Sequence, residues 1–348
     1  MKKILIIVVS LLAFIIIGLG SIYALFSPQI RSAQSAKQEA EQMYSITFVG
    51  NDGIDDFIAQ GGASSTAEAA NYTISFITHG LVKSLPIPQE FGCSFISAPD
   101  STGNELTARN FDWPNCYGDI VVVKNNPTNG YTSVSTTQLT FLAFGDDFQP
   151  LTSMQNRIML LACLYAPQDG FNEKGLYVAD LVAGDQDVTN QQTERPDLTT
   201  STAIRLLLDK AATTQEAVDL LNQFDMHSDV GFAHHLAISD TDGKSVVVEW
   251  VDDKMVVVET PLCTNHYVAN THKKGSSIYY EDSHRRYHLL QQALDTKSIM
   301  TEQHITEAIA TVASSEYTRW TVVYNRATET ATYYQYANFK QPIIIKLN

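Results

Sequence analysis

Residues 90–95 read EFGCSF, and residues 108–113 read ARNFDW. In this order a cysteine, Cys93, follows Gly92, and Arg109 and Asp112 lie a short way downstream. The order predicts an unusual nucleophile, in which the Cys93 thiol attacks the Gly92 carbonyl and cuts the chain. The α-amine that is freed at Cys93 then serves as general base for the same thiol. A free cysteine is more often a small hydrophobic core residue, so the interpretation depends on Arg109 and Asp112.

Arg109 and Asp112 would support this chemistry if the first two predicted strands, Cys93–Ala98 and Glu105–Phe111, pair as a hairpin. The second strand then returns both side chains to Cys93. A neighbouring cation lowers the pKa of a thiol, and a carboxylate orients the new α-ammonium group. The alternative is an ordinary surface ion pair, which contributes about 0–1 kcal/mol.

The composition is that of a globular protein, with 348 residues, 44% of them hydrophobic and 18% charged. The formal net charge of −15 disfavours nucleic acid as a partner. The four cysteines lack the spacing of a zinc site. Adjacent His234 and His235 would point to opposite faces of a strand. We therefore expect neither a metal nor a cofactor.

The N-terminus carries an uncharged, mostly apolar run from Ile4 to Phe26, preceded by Lys2 and Lys3. Its length suits a transmembrane helix, and the lysines would hold the first end in the cytoplasm. We expect residues 1–26 to be a cytoplasmic tip and signal anchor of a single-pass protein of the cell membrane, with the catalytic part outside. A cleaved signal, giving a secreted protein, is the alternative.

The rest of the chain divides at the predicted cut. Residues 27–92 are expected to form a polar stalk and a helical propeptide, with residues 44–92 as a small separate unit. That unit would hold a short helix ending at Gly61 and a second helix that Ser64 or Ser65 caps. Residues 93–348 would form the catalytic domain.

The catalytic part alternates blocks of strands with blocks of helices, which indicates an α+β fold with mainly antiparallel sheets. Helices are predicted at Thr202–Ala211, Glu216–Phe224, Ser283–Asp295 and Thr301–Ala313. Further strands are predicted at Ile120–Lys124, Thr132–Thr137, Leu139–Phe144, Gly175–Val182, Ala233–Ser239, Ser245–Val251, Lys254–Thr260, Cys263–Ala269, Thr318–Asn325, Ala331–Tyr336 and Ile343–Lys346.

Several further motifs follow Cys93, Arg109 and Asp112 in a familiar order. They are NEKGL at 172–176, LAISD at 236–240, GKSVVVE at 243–249, CTN at 263–265, SHRRY at 283–287 and EYT at 316–318. With these motifs the chain resembles the choloylglycine hydrolase family of linear amide C–N hydrolases, a branch of the N-terminal nucleophile (Ntn) hydrolases. It is similar in particular to the penicillin acyltransferase and acid ceramidase branch.

The resemblance implies a four-layer αββα sandwich of two antiparallel sheets between helix layers. It also implies the roles of the site residues. The catalytic set would be Cys93, Arg109, Asp112, Asn265 and Arg286, with Arg285 as the alternative second arginine. Asn172 would contact substrate or act structurally, and a backbone N–H near Val182 would complete the oxyanion hole. Many members of the family carry Asn where this chain has Val182.

The implied activity is hydrolysis of the amide bond of an N-acylated small molecule through a thioester, after cleavage between Gly92 and Cys93. The identity of the acyl amide stays open, as does retention of the propeptide. The short chain between Asn265 and Arg286 argues against a bile-salt specialist. Two alternatives remain, an acyltransferase that passes the acyl group to an amine, and a membrane-tethered binding module without catalysis.

Overall fold

The computed structural model describes residues 26–80, 92–114, 116, 118–142, 144, 147–184, 188–269 and 280–347. The predicted membrane span, Ile4–Phe26, lies outside these residues except for its last position. Among the helices in these ranges, none combines the length and apolar character that a bilayer crossing requires.

The N-terminal segment, defined here as residues 26–80, is a mixture of helices and strands. Residues 26–34 are helical (α1), and the elements that follow are β1 (Lys37–Ala40), β2 (Met43–Gly50), α2 (Ile54–Ala59) and α3 (Thr66–Ile77). The two helices predicted around Gly61 are confirmed. Ser65 caps α3, because its side chain accepts a hydrogen bond from the backbone N–H of Glu68.

Strands dominate the remainder. The elements up to residue 199 are β3 (Gly92–Pro99), β4 (Glu105–Asp112), β5 (Ile120–Pro127), β6 (Ser133–Gln138), α4 (Met154–Met159), β7 (Asp169–Asn172), β8 (Tyr177–Gly184) and β9 (Asp197–Thr199). They are followed by α5 (Thr200–Lys210), α6 (Thr214–Leu221), β10 (Asp225–His227), β11 (Ala233–Ser239), β12 (Ser245–Val251), β13 (Lys254–Glu259), β14 (Leu262–Cys263), α7 (Tyr280–Thr296), α8 (Glu302–Ala310), β15 (Thr318–Asn325), β16 (Thr330–Gln335) and β17 (Ile343–Lys346).

Two sheets form the centre of the fold. The six-stranded sheet has the order β14-β3-β4-β15-β16-β17, and the nine-stranded sheet has the order β1-β2-β5-β6-β7-β8-β11-β12-β13. The predicted hairpin is present as β3 and β4, with Cys93 opposite Phe111 and Gly92 opposite Asp112. This register brings Arg109 and Asp112 back to Cys93.

The N-terminal segment belongs to the nine-stranded sheet. Strand β2 pairs with β5 in parallel along its whole length, and β1 pairs with β2 at the edge of the sheet. The expectation of a small separate unit over residues 44–92 is therefore wrong for the part that the structure describes. The pairing of β2 joins residues far apart in sequence, and its local pattern carries no sign of the partner.

Three clusters of buried residues fill the spaces between the layers of the fold. The first fills the space between the sheets and includes Cys93, Phe111 and Trp320. The second packs α3, α5 and α6 on the outer face of the nine-stranded sheet, and the third packs α7 and α8 on the outer face of the six-stranded sheet. The layers are thus helix, sheet, sheet and helix, as predicted.

Two predicted strands differ in the structure. Residues Leu139–Leu142 form a 3-10 helix, which places Phe141 edge-on against Trp113 at a ring distance of 4.6 Å. The strand predicted over Cys263–Ala269 is limited to β14. Beyond it the chain leaves the sheet, and the backbone N–H groups of Val268 and Ala269 donate to the carboxylate of Glu249.

Candidate active site

Cys93 lies at the beginning of β3, and its side chain is buried between the two sheets. Arg109, on the neighbouring strand β4, donates from Nη2 to the Cys93 Sγ at 3.1 Å. The hairpin therefore places a guanidinium group directly on the predicted nucleophile. A cation in this position favours the thiolate over the thiol.

Arg109 is completely buried and is fixed by several acceptors. Its Nη1 atom pairs with Asp169 Oδ2 at 2.6 Å, and its Nη2 atom donates to the Asp180 carbonyl at 2.6 Å. Burial lowers the pKa of Arg109, but Cys93 and Asp169 raise it, and the net shift is upward. Arg109 thus stays charged beside the thiol.

Sequence reasoning missed Asp169, which also accepts a hydrogen bond from Trp320 Nε1 at 2.9 Å. The residue stands at the start of β7, three positions before Asn172 of the NEKGL motif. Its position close to the NEKGL motif is the sequence feature that could have identified Asp169. An isolated Asp before a glycine is otherwise common in turns, so its pairing with Arg109 depends on the arrangement of strands.

The Cys93 thiol of the uncut chain is a weak acid. The pKa of Cys93 is raised to about 11, because burial and the charges of Asp112 and Asp180 raise it more than Arg109 lowers it. The backbone N–H of Asp112 also lowers it through a hydrogen bond. At neutral pH the thiol is therefore protonated, and a nucleophilic reaction requires a base close to it.

Asp112 lies opposite Gly92 in the hairpin, beside the predicted scissile bond. Its Oδ1 atom accepts a hydrogen bond from the Thr318 hydroxyl, which belongs to the EYT motif. Burial raises the pKa of Asp112, whereas Arg286, Thr318 and Arg109 lower it, and the net shift is upward. A buried carboxylate of this kind can accept a proton more readily than an exposed one.

Asn265 follows β14 and contacts Cys93 from the other side. Its Oδ1 atom accepts a hydrogen bond from the backbone N–H of Cys93 at 2.7 Å, and its Nδ2 atom donates to the Val182 carbonyl at 2.9 Å. The expected contribution of Val182 was a backbone N–H. In the structure the Val182 carbonyl accepts a hydrogen bond from the Asn265 amide, which has two N–H donors.

Arg286, not Arg285, reaches the nucleophile. The Arg286 guanidinium donates to the Cys93 carbonyl oxygen, to the Ser94 hydroxyl at 2.7 Å and to Asn265 Oδ1 at 2.8 Å. Arg285 is largely exposed and pairs with Asp282. Helix α7 therefore presents one arginine of the adjacent pair to the site and the other to solvent.

Asn172 is not part of the cluster around Cys93. Its Nδ2 atom donates to the carbonyls of Leu208 and Ala211 at 3.0 and 2.8 Å, and its Oδ1 atom accepts from the backbone N–H of Lys174 and Leu176. These bonds join the β7–β8 turn to the end of α5. These contacts favour the structural role of Asn172 over the alternative role in substrate binding.

The arrangement of sheets, helices and Cys93 defines a class, the Ntn hydrolase fold. Two structures of variants of conjugated bile acid hydrolase from Clostridium perfringens share this fold. One has a TM-score of 0.52 and 15% identity over 73% of this chain and 92% of that chain. The other has a TM-score of 0.53 and 16% identity over 74% and 93%.

Penicillin V acylase from Agrobacterium tumefaciens is also similar, with a TM-score of 0.47 and 16% identity over 72% of this chain and 84% of that one. No curated protein matches the sequence. The family model of acyl-coenzyme A:6-aminopenicillanic acid acyl-transferase matches residues 159–339. The chain belongs to this family, and the resemblance inferred from its motifs is confirmed.

Proposed function

We propose that this protein is an autoprocessed N-terminal cysteine hydrolase that cleaves the amide bond of an N-acylated small molecule. The observation that carries the proposal is the environment of Cys93. Arg109 contacts its sulfur at 3.1 Å, and Asn265 holds its backbone nitrogen at 2.7 Å. The nitrogen held in this way is the one that becomes the α-amine after cleavage.

Maturation begins when the Cys93 sulfur attacks the Gly92 carbonyl carbon. The C–N bond between Gly92 and Cys93 breaks, a thioester forms between them, and the nitrogen leaves as the α-amine of Cys93. Water then hydrolyses the thioester and leaves a carboxylate on Gly92. Asp112, whose pKa burial raises, lies opposite Gly92 in the hairpin and is the proposed acceptor of the thiol proton, which it passes to the departing nitrogen.

In the mature enzyme the α-amine replaces Asp112 as base, with an unperturbed pKa of about 7.7–8.0. It takes the thiol proton as sulfur attacks the substrate amide, and donates it to the departing amine. Asn265 Nδ2 stabilises the oxyanion, a contribution of about 2.7–4 kcal/mol. The backbone N–H near Val182 remains the predicted second donor. Water finally releases the acid from the thioester.

Acyl transfer is the second candidate, and the family itself favours it, because the matching family model describes an acyl-transferase. Both reactions share the thioester, and they differ in whether water or an amine attacks it. A membrane-tethered binding module without catalysis is the third. The buried contact between Arg109 and the Cys93 sulfur argues against it, since burying a charge beside a thiol is costly for a surface that only binds.

We further propose that residues 1–26 anchor the protein in the cell membrane with the catalytic domain outside. The support is the apolar run Ile4–Phe26 after two lysines. Cleavage of this run would give a secreted protein. The anchor is independent of the catalytic proposal.

The test is the covalent state of the expressed protein. We expect N-terminal sequencing and mass spectrometry to find a chain that begins at Cys93 in the wild type, and an uncut chain in Cys93→Ala. Cys163→Ala is the matched control, because Cys163 is equally buried but lies in the helical layer. An uncut protein that still hydrolyses amides would contradict the proposal.

A further inference from the structure

A cleft lies between helix α3 and the outer face of the nine-stranded sheet. Its empty volume, open solvent included, is about 850 Å³. One wall consists of Ala69, Ala70, Thr73 and Ile74 of α3, and the opposite wall includes Phe141 and Tyr165. The lining is therefore mostly apolar.

The cleft adjoins the candidate active site. Gln168 and Asp180 line it, and their backbone carbonyls accept hydrogen bonds from Arg109. Trp113, the residue after Asp112, lines it as well. Arg109 is in turn bonded to the sulfur of Cys93. A molecule in the cleft therefore contacts residues that are bonded to Arg109, and Arg109 contacts the Cys93 sulfur.

The polar side chains of the cleft neutralise one another. His234 Nδ1 lies 2.7 Å from Asp180 Oδ1, and His234 Nε2 lies 3.1 Å from the Asp229 carbonyl. Burial lowers the pKa of His234, but the carboxylate of Asp180 raises it, and the net shift is upward. The carboxylate of Asp180 therefore favours the protonated form of His234.

The carboxylate of Asp229 accepts three hydrogen bonds from neighbouring residues. It accepts the Thr66 hydroxyl at 2.8 Å, the Ser201 hydroxyl at 2.6 Å and the Ser201 backbone N–H at 2.7 Å. Among the lining residues that the structure describes, none is Lys or Arg. An anionic group would thus meet two carboxylates and no lysine or arginine of the described lining. A cationic group would compete for these carboxylates with His234, Thr66 and Ser201.

We propose that this cleft binds the acyl group of the substrate, and that this group is neutral and apolar. The proposal rests on the proposed amide hydrolysis at Cys93. It assigns the choice of acyl group to helix α3, which precedes the predicted cut. Ala70 and Ile74 are the residues that set the length and width of the acyl group.

The experiment measures kcat/KM for amides of one amine with acetyl, hexanoyl, decanoyl, phenylacetyl and glutaryl groups. We expect the wild type to prefer hexanoyl, decanoyl or phenylacetyl over glutaryl, which carries a carboxylate. Ala70→Phe should lower kcat/KM for the decanoyl amide at least about ten-fold and leave the acetyl amide within about two-fold, because a phenyl ring occupies the cleft.

Ala67→Phe is the matched control, since Ala67 lies on the exposed face of the same helix. Ile74→Ala, which widens the cleft, should raise the decanoyl-to-hexanoyl ratio and serves if Ala70→Phe does not fold. An active wild type whose acyl preference is unchanged in both variants, or one that prefers glutaryl, would overturn this inference alone. Failure to hydrolyse any of the five amides would instead overturn the proposed function.

Discussion

The side-chain oxygen of Asn265 accepts hydrogen bonds from the backbone N–H of Cys93 at 2.7 Å and from Arg286 Nη2 at 2.8 Å. Because both partners are donors, they fix which end of the amide is the oxygen. The amide nitrogen then faces the Val182 carbonyl. One side chain thus accepts a hydrogen bond from the Cys93 nitrogen and carries the N–H donors that we propose for the oxyanion.

Asn265→Asp separates these two tasks, because the carboxylate keeps the acceptor for the Cys93 nitrogen and loses the donor. We expect kcat of the mature enzyme to fall about 10²–10³-fold, the effect of removing one oxyanion donor. Asn338→Asp is the control, a change of the same kind at an exposed position. Steady-state kinetics with a hydrolysed amide measures the effect. An unchanged kcat would exclude Asn265 as a donor to the oxyanion.

Asp169→Asn tests the support of Arg109. Removing one member of a buried ion pair leaves the other charge uncompensated, which costs about 3–5 kcal/mol. We expect the free energy of unfolding to fall by about this amount in urea titrations, and activity to fall with it.

Glu39→Gln is the control for this change, because Glu39 pairs with a largely exposed Lys37 and its loss should cost less than about 1 kcal/mol. Equal stability losses in the two variants would show that Asp169 contributes no more than a surface charge.

The hairpin that carries Cys93, Arg109 and Asp112 could be predicted from sequence, because its strands are adjacent in the chain and alternate regularly. Asn265 and Arg286 were predictable only through short motifs and the family resemblance. Their meeting at Cys93 joins the end of the two-residue strand β14 to helix α7, and no local pattern encodes such a contact. Arg286, which the sequence analysis placed before Arg285, lies on the buried face of α7.

Other features of the structure could not be predicted from the sequence. The polar segment before Met43 suggested a stalk, but its residues 37–40 pair with β2, and the parallel contact of β2 with β5 spans a long stretch of chain. Asn172 matched a family motif and still proved structural, because its amide is fully used by the turn and by α5. A motif therefore located the site without fixing the task of each residue.

Asp112→Asn should stabilise the protein at neutral pH while abolishing the cut. Burial raises the pKa of Asp112 in the folded state, so folding favours the protonated carboxyl. That contribution is complete below the unfolded pKa of about 3.9 and is lost as pH rises through the folded pKa. Above the folded pKa the protein holds an unfavourable buried charge, which asparagine removes.

The comparison is made with Cys93→Ala present in both proteins, so that neither chain is cut. Urea unfolding between pH 4 and pH 8 should show the Asp112→Asn protein as the more stable one at the upper end, with the difference shrinking toward the lower end. A variant that is less stable at pH 8 would mean that the ionic contacts of Asp112 outweigh its burial.

The N-terminal segment should remain bound after the cut. All eight residues of β2 pair with β5, Phe57 of α2 is completely buried in the helical layer, and Thr66 of α3 bonds to Asp229. We expect the two pieces to elute together in size-exclusion chromatography and to separate on a denaturing gel.

Phe57→Ala should release the segment at lower urea concentration, since truncating a buried phenylalanine costs about 3–5 kcal/mol. Val49→Ala, at a half-exposed position of β2, should not. If residues 93–348 elute alone and keep full activity, the segment is a disposable propeptide.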